Sequence, residues 1–215
     1  YNNIQGGASS FAGAEFTIRF FPTLESDYGK VEPLRTWVVR TDERGIVDLR
    51  KGDGCKVSGD GFFHDTTGTI TLPIGTYEIR ETKAPTGYKI NESAVVRTVT
   101  GSANSVEAVS SYNTPIIADS IMRGGLELEK RDAESRLQSA LGSGTLDNTT
   151  FTITNSNSHE VKVDGIFYQP GEVCATLVAK EGKAALAPTT LPYGEYTLTE
   201  VSAGDGYNLS DGNPR

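Results

Sequence analysis

The sequence predicts an all-β protein made of two tandem copies of one domain, and three observations carry this. Leu72-Pro-Ile-Gly-Thr-Tyr-Glu-Ile-Arg-Glu81 matches Leu191-Pro-Tyr-Gly-Glu-Tyr-Thr-Leu-Thr-Glu200 at a spacing of 119 residues. The following Thr-Lys-Ala-Pro-Thr-Gly-Tyr88 and Val-Ser-Ala-Gly-Asp-Gly-Tyr207 keep that spacing. Apolar and polar residues alternate along short segments, the period of a half-buried strand. The 24 Gly and 9 Pro, set among many Thr, Ser and Tyr, read as short strands joined by turns.

The elements follow in order. Phe16, Ile18 and Phe20 share one face of a strand that begins within Gly13-Ala-Glu-Phe-Thr-Ile18. That segment is answered by Asn148-Thr-Thr-Phe-Thr-Ile153, 135 residues on, so the first copy holds extra residues between its two signatures. Trp37-Val-Val-Arg-Thr-Asp-Glu-Arg-Gly45 resembles Cys174-Ala-Thr-Leu-Val-Ala-Lys-Glu-Gly182, which places the extra residues in a Gly- and Asp-rich insertion at about 50–68. Tyr77, Ile79 and Glu81 share a strand face, as do Tyr196, Leu198 and Glu200. Gly75 and Gly194 mark the turns into those strands, and Ala84-Pro-Thr-Gly87 ends the first of them. The first copy closes around Asn113-Thr-Pro115, and Gly124-Gly125 opens the second with the alternating Leu126-Glu-Leu-Glu-Lys130. Asp132 to Leu141 carries a weak helical signal stopped by Gly142 and Gly144. The expected domains are 1–115 and 124–215.

Composition removes several functions. The net charge of −8 disfavours a nucleic-acid partner, which calls for a basic face. No apolar run approaches the roughly 18 residues that span a bilayer. Two cysteines and two histidines, without C-x-x-C or H-E-x-x-H spacing, supply few ligands for a metal, and no metal or other cofactor is expected. Cys55 and Cys174 fall one in each copy, which argues against a bridge. Asp53 and Asp60 lack the dense oxygen ligands of a calcium loop. Leu72-Pro-Ile-Gly-Thr76 is a turn into a strand and not a wall-sorting signal, which needs Thr before Gly. The sequons at Asn91, Asn148 and Asn208 are expected to be idle.

The phase of certain charges is informative. Lys130 lies in phase with Leu126 and Leu128, Glu81 with Tyr77 and Ile79, and Glu200 with Tyr196 and Leu198. Alternation therefore aims these charges inward, where each needs a partner. Alternation alone leaves open that they stand at strand ends and reach solvent.

The pattern G-A-E-F-T-I, L-P-x-G-x-Y-x-x-x-E, A-P-x-G-Y and Y-N-T-P resembles the collagen-adhesin B-type repeat of Gram-positive surface adhesins and pilins, the CnaB or SpaA-type domain. The resemblance runs over nearly the whole chain in two copies; the second departs from it at Ala203-Gly-Asp-Gly-Tyr207, which lacks the proline. It implies two tandem prealbumin-like (inverse Ig-like) β-sandwich domains. In such domains a first-strand lysine attacks a last-strand asparagine with the help of an inward glutamate, leaving an isopeptide bond.

Carried over residue by residue, the resemblance makes Glu81 and Glu200 the proton shuttles, Asn113 the first copy's acceptor and Lys130 the second copy's nucleophile. The first copy's lysine is expected upstream of Tyr1, and the second copy's asparagine beyond Arg215. Such a reaction occurs once, so the protein is not expected to be an enzyme. The resemblance implies a structural stalk or spacer of a cell-wall-anchored adhesin or pilus, outside a Gram-positive cell, with neighbouring domains of the same protein as partners. The alternative is an adhesin module that binds a host extracellular-matrix protein or glycan through the insertion or a sheet face, with Phe62 and Phe63 as apolar anchors. Against that stands an insertion that packs its own aromatics.

Overall fold

The computed structural model describes residues 10–23, 28–100 and 115–209. The chain divides into two compact units, with the division between Ser120 and Ile121. Each is built of antiparallel strands, as the period-2 alternation requires.

In the first unit a five-stranded sheet runs in the order Lys56–Gly59, Arg35–Arg40, Glu15–Phe21, Gly75–Lys83, Val95–Val99. Its register sets Phe16 between Val39 and Glu81, Ile18 between Trp37 and Ile79, and Phe20 between Arg35 and Tyr77. One face therefore carries the aromatic and branched residues expected from alternation, and Phe20, Trp37, Val39 and Tyr77 form its core.

The insertion covers that face. After a 3-10 turn at Leu49–Gly54 it adds the edge strand Lys56–Gly59, then a two-residue ladder of Phe63–His64 with Ile70–Thr71. Phe62 is only 8% exposed and stacks on Trp37, ring centroids 5.9 Å apart. Phe63 meets Phe20 edge-on at 5.3 Å beneath the Arg35 guanidinium, which sits 3.7 Å from the ring centre. Arg35 and the Trp37 indole N–H both donate to the Gly61 carbonyl, fastening the insertion to the sheet.

The second unit contains two sheets. One pairs Arg123–Glu129 with Lys183–Pro192. The other runs Val173–Val178, Thr150–Asn155, Tyr196–Ser202. A short hairpin of Val161–Val163 and Ile166–Tyr168 completes it. Phe151, Ile153, Val161, Val163, Cys174 and Leu177 are buried together, with Leu126, Leu128, Leu186 and Leu198 packed against them. Leu126 and Leu128 thus reach the core across from the three-stranded sheet.

The shared Leu-Pro-x-Gly-x-Tyr string has one physical explanation in both units. The Tyr77 hydroxyl donates to the Pro73 carbonyl at 2.8 Å, and the Tyr196 hydroxyl donates to the Pro192 carbonyl at 2.8 Å. The glycine between them admits close neighbours: a Cβ at Gly75 would stand 2.4 Å from the Phe21 carbonyl, and one at Gly194 would stand 2.5 Å from Asn157 Oδ1. Asn157 in turn accepts from the Glu195 backbone N–H and donates to the buried Asn155 side chain.

Asp132 to Leu141 forms turns and not a helix. The Asp132 carboxylate accepts the Glu134 and Ser135 backbone N–H groups, and Arg136 takes a left-handed φ of 62°, which breaks any helical run. Cys55 and Cys174 are both free and buried.

Candidate functional site

The charges that alternation aims inward are placed by bulged ladders. In the second unit Phe151 faces Glu200, and the register shifts between Thr150 and Phe151. In the first unit Phe16 faces Glu81, and the register shifts between Glu15 and Phe16. A bulge at the same point of both units bends the strand beside the glutamate.

Lys130 stands just past the strand Arg123–Glu129, held by its backbone N–H donating to the Gly182 carbonyl at 2.7 Å. Its ammonium donates to Glu200 Oε1 at 2.8 Å and Oε2 at 2.7 Å. The two side chains are 19% and 10% exposed. The strand leading to Lys130 belongs to the two-stranded sheet and Glu200 to the three-stranded one, so the ion pair spans the sandwich. Bonds this short between opposite charges are among the strong ones, and they offset part of the cost of taking both groups out of water. A single proton passed from nitrogen to oxygen along either bond leaves a neutral amine beside a carboxylic acid. That is a nucleophile with its acid–base partner already in reach.

Glu81 is 5% exposed. Its Oε2 accepts the Asn91 backbone N–H at 2.6 Å, while its buried Oε1 has no donor. The Asp119 carboxyl lies within hydrogen-bond reach of it. Desolvation first, and the Glu81 charge second, push Asp119 up to about 6. Asp119 was not singled out by the sequence reasoning; the signal was an acid closing the apolar run Ile116-Ile-Ala118.

Of the remaining candidates, Asn113 lies outside the described residues. Phe62 is a core residue, and Phe63 is half-buried under Arg35. Asn208 is exposed. Among the described residues no group of three or more His, Cys, Asp or Glu is arranged to hold a metal, and no helix is long and apolar enough to cross a membrane.

Comparison with known proteins follows the same division. The profile of the SpaA prealbumin-like fold domain matches residues 5–114 and again 126–213. Among solved structures, the Bacillus anthracis TIE protein is similar over 94% of this chain at 25% identity and a TM-score of 0.49; the chain spans 27% of that protein's length. The shaft pilin SpaA of Lactobacillus rhamnosus GG is similar over 94% of this chain and 82% of its own, at 16% identity and a TM-score of 0.31. The C-terminal fragment of the pilus adhesin SpaC from Lactobacillus rhamnosus GG is similar over 93% of this chain and 71% of its own, at 16% identity and a TM-score of 0.32. No curated protein matches the chain as a relative.

Proposed function

The chain belongs to the SpaA prealbumin-like fold family, in two tandem copies, and from that premise we propose that it is a structural spacer of a Gram-positive pilus or cell-surface protein, stiffened by intramolecular Lys–Asn amide bonds. The observation that carries this reading is the Lys130–Glu200 pair, mostly shielded from water between two sheets of one sandwich. An ordinary core has no use for it, since apolar side chains of equal volume stabilise as well or better. A crosslinking site needs it.

The step is a transamidation. The neutral lysine nitrogen adds to the carboxamide carbon of an asparagine on the domain's last strand. The protonated glutamate hydrogen-bonds the carbonyl oxygen, delivers its proton to the leaving nitrogen and takes back the proton that the attacking nitrogen sheds. A C–N bond forms, a C–N bond breaks, and one ammonia departs. Glu200 serves this role in the second domain and Glu81 in the first, where Asn113 is the acceptor. Each site reacts once, so the protein turns over no substrate. Burial of Phe62 in the core supports the spacer over the adhesin reading, since it removes one of the insertion's two apolar anchors.

The test is the intact mass of the parent protein carrying these repeats. Each domain is expected to be lighter than its calculated mass by one ammonia, and Lys130→Ala is expected to restore the ammonia of the second domain alone. A wild type at its full calculated mass would overturn the crosslink.

A further inference from the structure

Two acids of the first unit face each other without a donor between them. Glu81 Oε1 and Asp119 Oδ1 are both buried and both lack a hydrogen-bond partner, yet the two carboxyls lie within hydrogen-bond reach. Two ionised carboxylates offer only acceptors, and in a desolvated place they repel. One proton changes both facts, because it turns one oxygen into a donor and cancels one charge.

Among the described residues, the cations nearest in sequence are engaged elsewhere or exposed. Arg80 is engaged by Glu78, and Lys83 by Glu15. Lys89 and Glu92, near the pair in the chain, are exposed. On the Glu81 side the partner in register is the apolar Phe16. The Asn91 backbone N–H already serves Oε2.

Asp119 belongs to the segment 115–120 that leaves the first unit. Apart from Asp119, that segment is tied by the Asn91 side chain, which donates to the Ala118 carbonyl at 3.0 Å, and at Ser120 by a short strand paired with Tyr88–Lys89. We propose that Glu81 and Asp119 share one proton and form an acid-dependent clasp, which holds residues 115–120 against the first unit in acid and releases them as the medium becomes neutral. The clasp is a property of this pair of residues and does not rest on the crosslink reading.

The sign follows from the raised affinity for the proton. Asp119 sits at about 6 in the folded unit, against an ordinary aspartate value near 3.8. The folded form therefore binds the proton more tightly, and its contribution is complete below about 4 and lost as pH rises through about 6. Two units of difference cap the change at about 100-fold in the opening equilibrium of the segment.

The experiment is hydrogen–deuterium exchange of the 215-residue chain at pH 5 and pH 8, corrected for the intrinsic rate at each pH. Protection of residues 116–119 is expected to fall by about 10-fold between the two, because pH 5 lies only one unit below the folded value, while the strand Glu15–Phe21 keeps its protection. In Asp119→Asn the side-chain amide donates to Glu81 at either pH, so the fall is expected to vanish. Glu81→Gln supplies the donor from the other side and should behave alike. Equal protection of 116–119 at both pH values in the wild type would overturn the clasp, and so would a fall in both amide variants as large as in the wild type. The wild-type comparison decides alone if either variant does not fold.

Discussion

Lys130 and Glu200 stand on opposite sides of one sandwich, and the ammonium of the first bonds both carboxylate oxygens of the second. The pair is mostly out of water, so neither member tolerates loss of the other. Lys130→Ala is expected to leave a buried carboxylate without its cation and to destabilise the second unit by about 3 kcal/mol, the low end for a broken buried pair because the lysine is 19% exposed. Thermal melting of the uncrosslinked chain checks the size. A second-unit transition unchanged in Lys130→Ala would show that the pair contributes nothing.

The tyrosine hydroxyls that close the Leu-Pro-x-Gly-x-Tyr turns give a second test. Tyr77→Phe and Tyr196→Phe each remove one bond to a proline carbonyl and keep the ring. Each is expected to cost about 1 kcal/mol, and only in its own unit. Burial also pushes both phenols well above their usual range, so neither should ionise while the fold holds, even in strong alkali. Ultraviolet difference titration would reveal an early phenolate if this is wrong.

Asp42 tests the acid side. Its carboxylate accepts the Ile46 and Arg44 backbone N–H groups and the Lys51 ammonium, and the Ile46 bond leads in holding it down at about 2. A depressed carboxyl stabilises the fold above its unfolded value near 4 and loses that contribution as pH falls through about 2. A carbon-detected titration should place Asp42 near 2, and Asp42→Asn should flatten the acid limb of stability between pH 4 and 2. A titration at an ordinary aspartate value would rule out the loop bonds.

The thiols report on each unit separately. Cys55 and Cys174 are 6% and 5% exposed, and desolvation pushes both thiols up. Neither is expected to react with iodoacetamide in the native protein, and each should become labelled when its own unit opens. Rapid labelling of either one under native conditions would contradict its placement in the core.

Much of this architecture was legible in the residues. Alternation is a direct record of which face meets the core, so Phe16, Ile18 and Phe20, or Tyr196 and Leu198, could be assigned without coordinates. The same phase pointed Lys130 and Glu200 inward. Other features were not legible, for reasons that are also physical. A bulge adds one residue to one strand, here Thr82 and Val201, and nothing in Glu81-Thr-Lys83 or Glu200-Val-Ser202 announces it. The meeting of Lys130 with Glu200 depends on two sheets stacking, which alternation within one strand cannot encode. Asp119 looked like a connector residue because its partner, Glu81, is 38 positions away in sequence. Asp132 to Leu141 scored weakly as helix because the local pattern does not register that Asp132 ties its carboxylate to the backbone of the turn.

The ladder between Arg123–Glu129 and Lys183–Pro192 has a mechanical consequence. Its hydrogen bonds lie across the strand axis. Tension applied along Arg123–Glu129 therefore loads them in shear, several at once, and does not unzip them one by one. Lys130 stands where that strand ends. A covalent anchor from its side chain to the domain's last strand would carry the load before the ladder gave way, so the length of chain that could be paid out under tension would stop at Lys130.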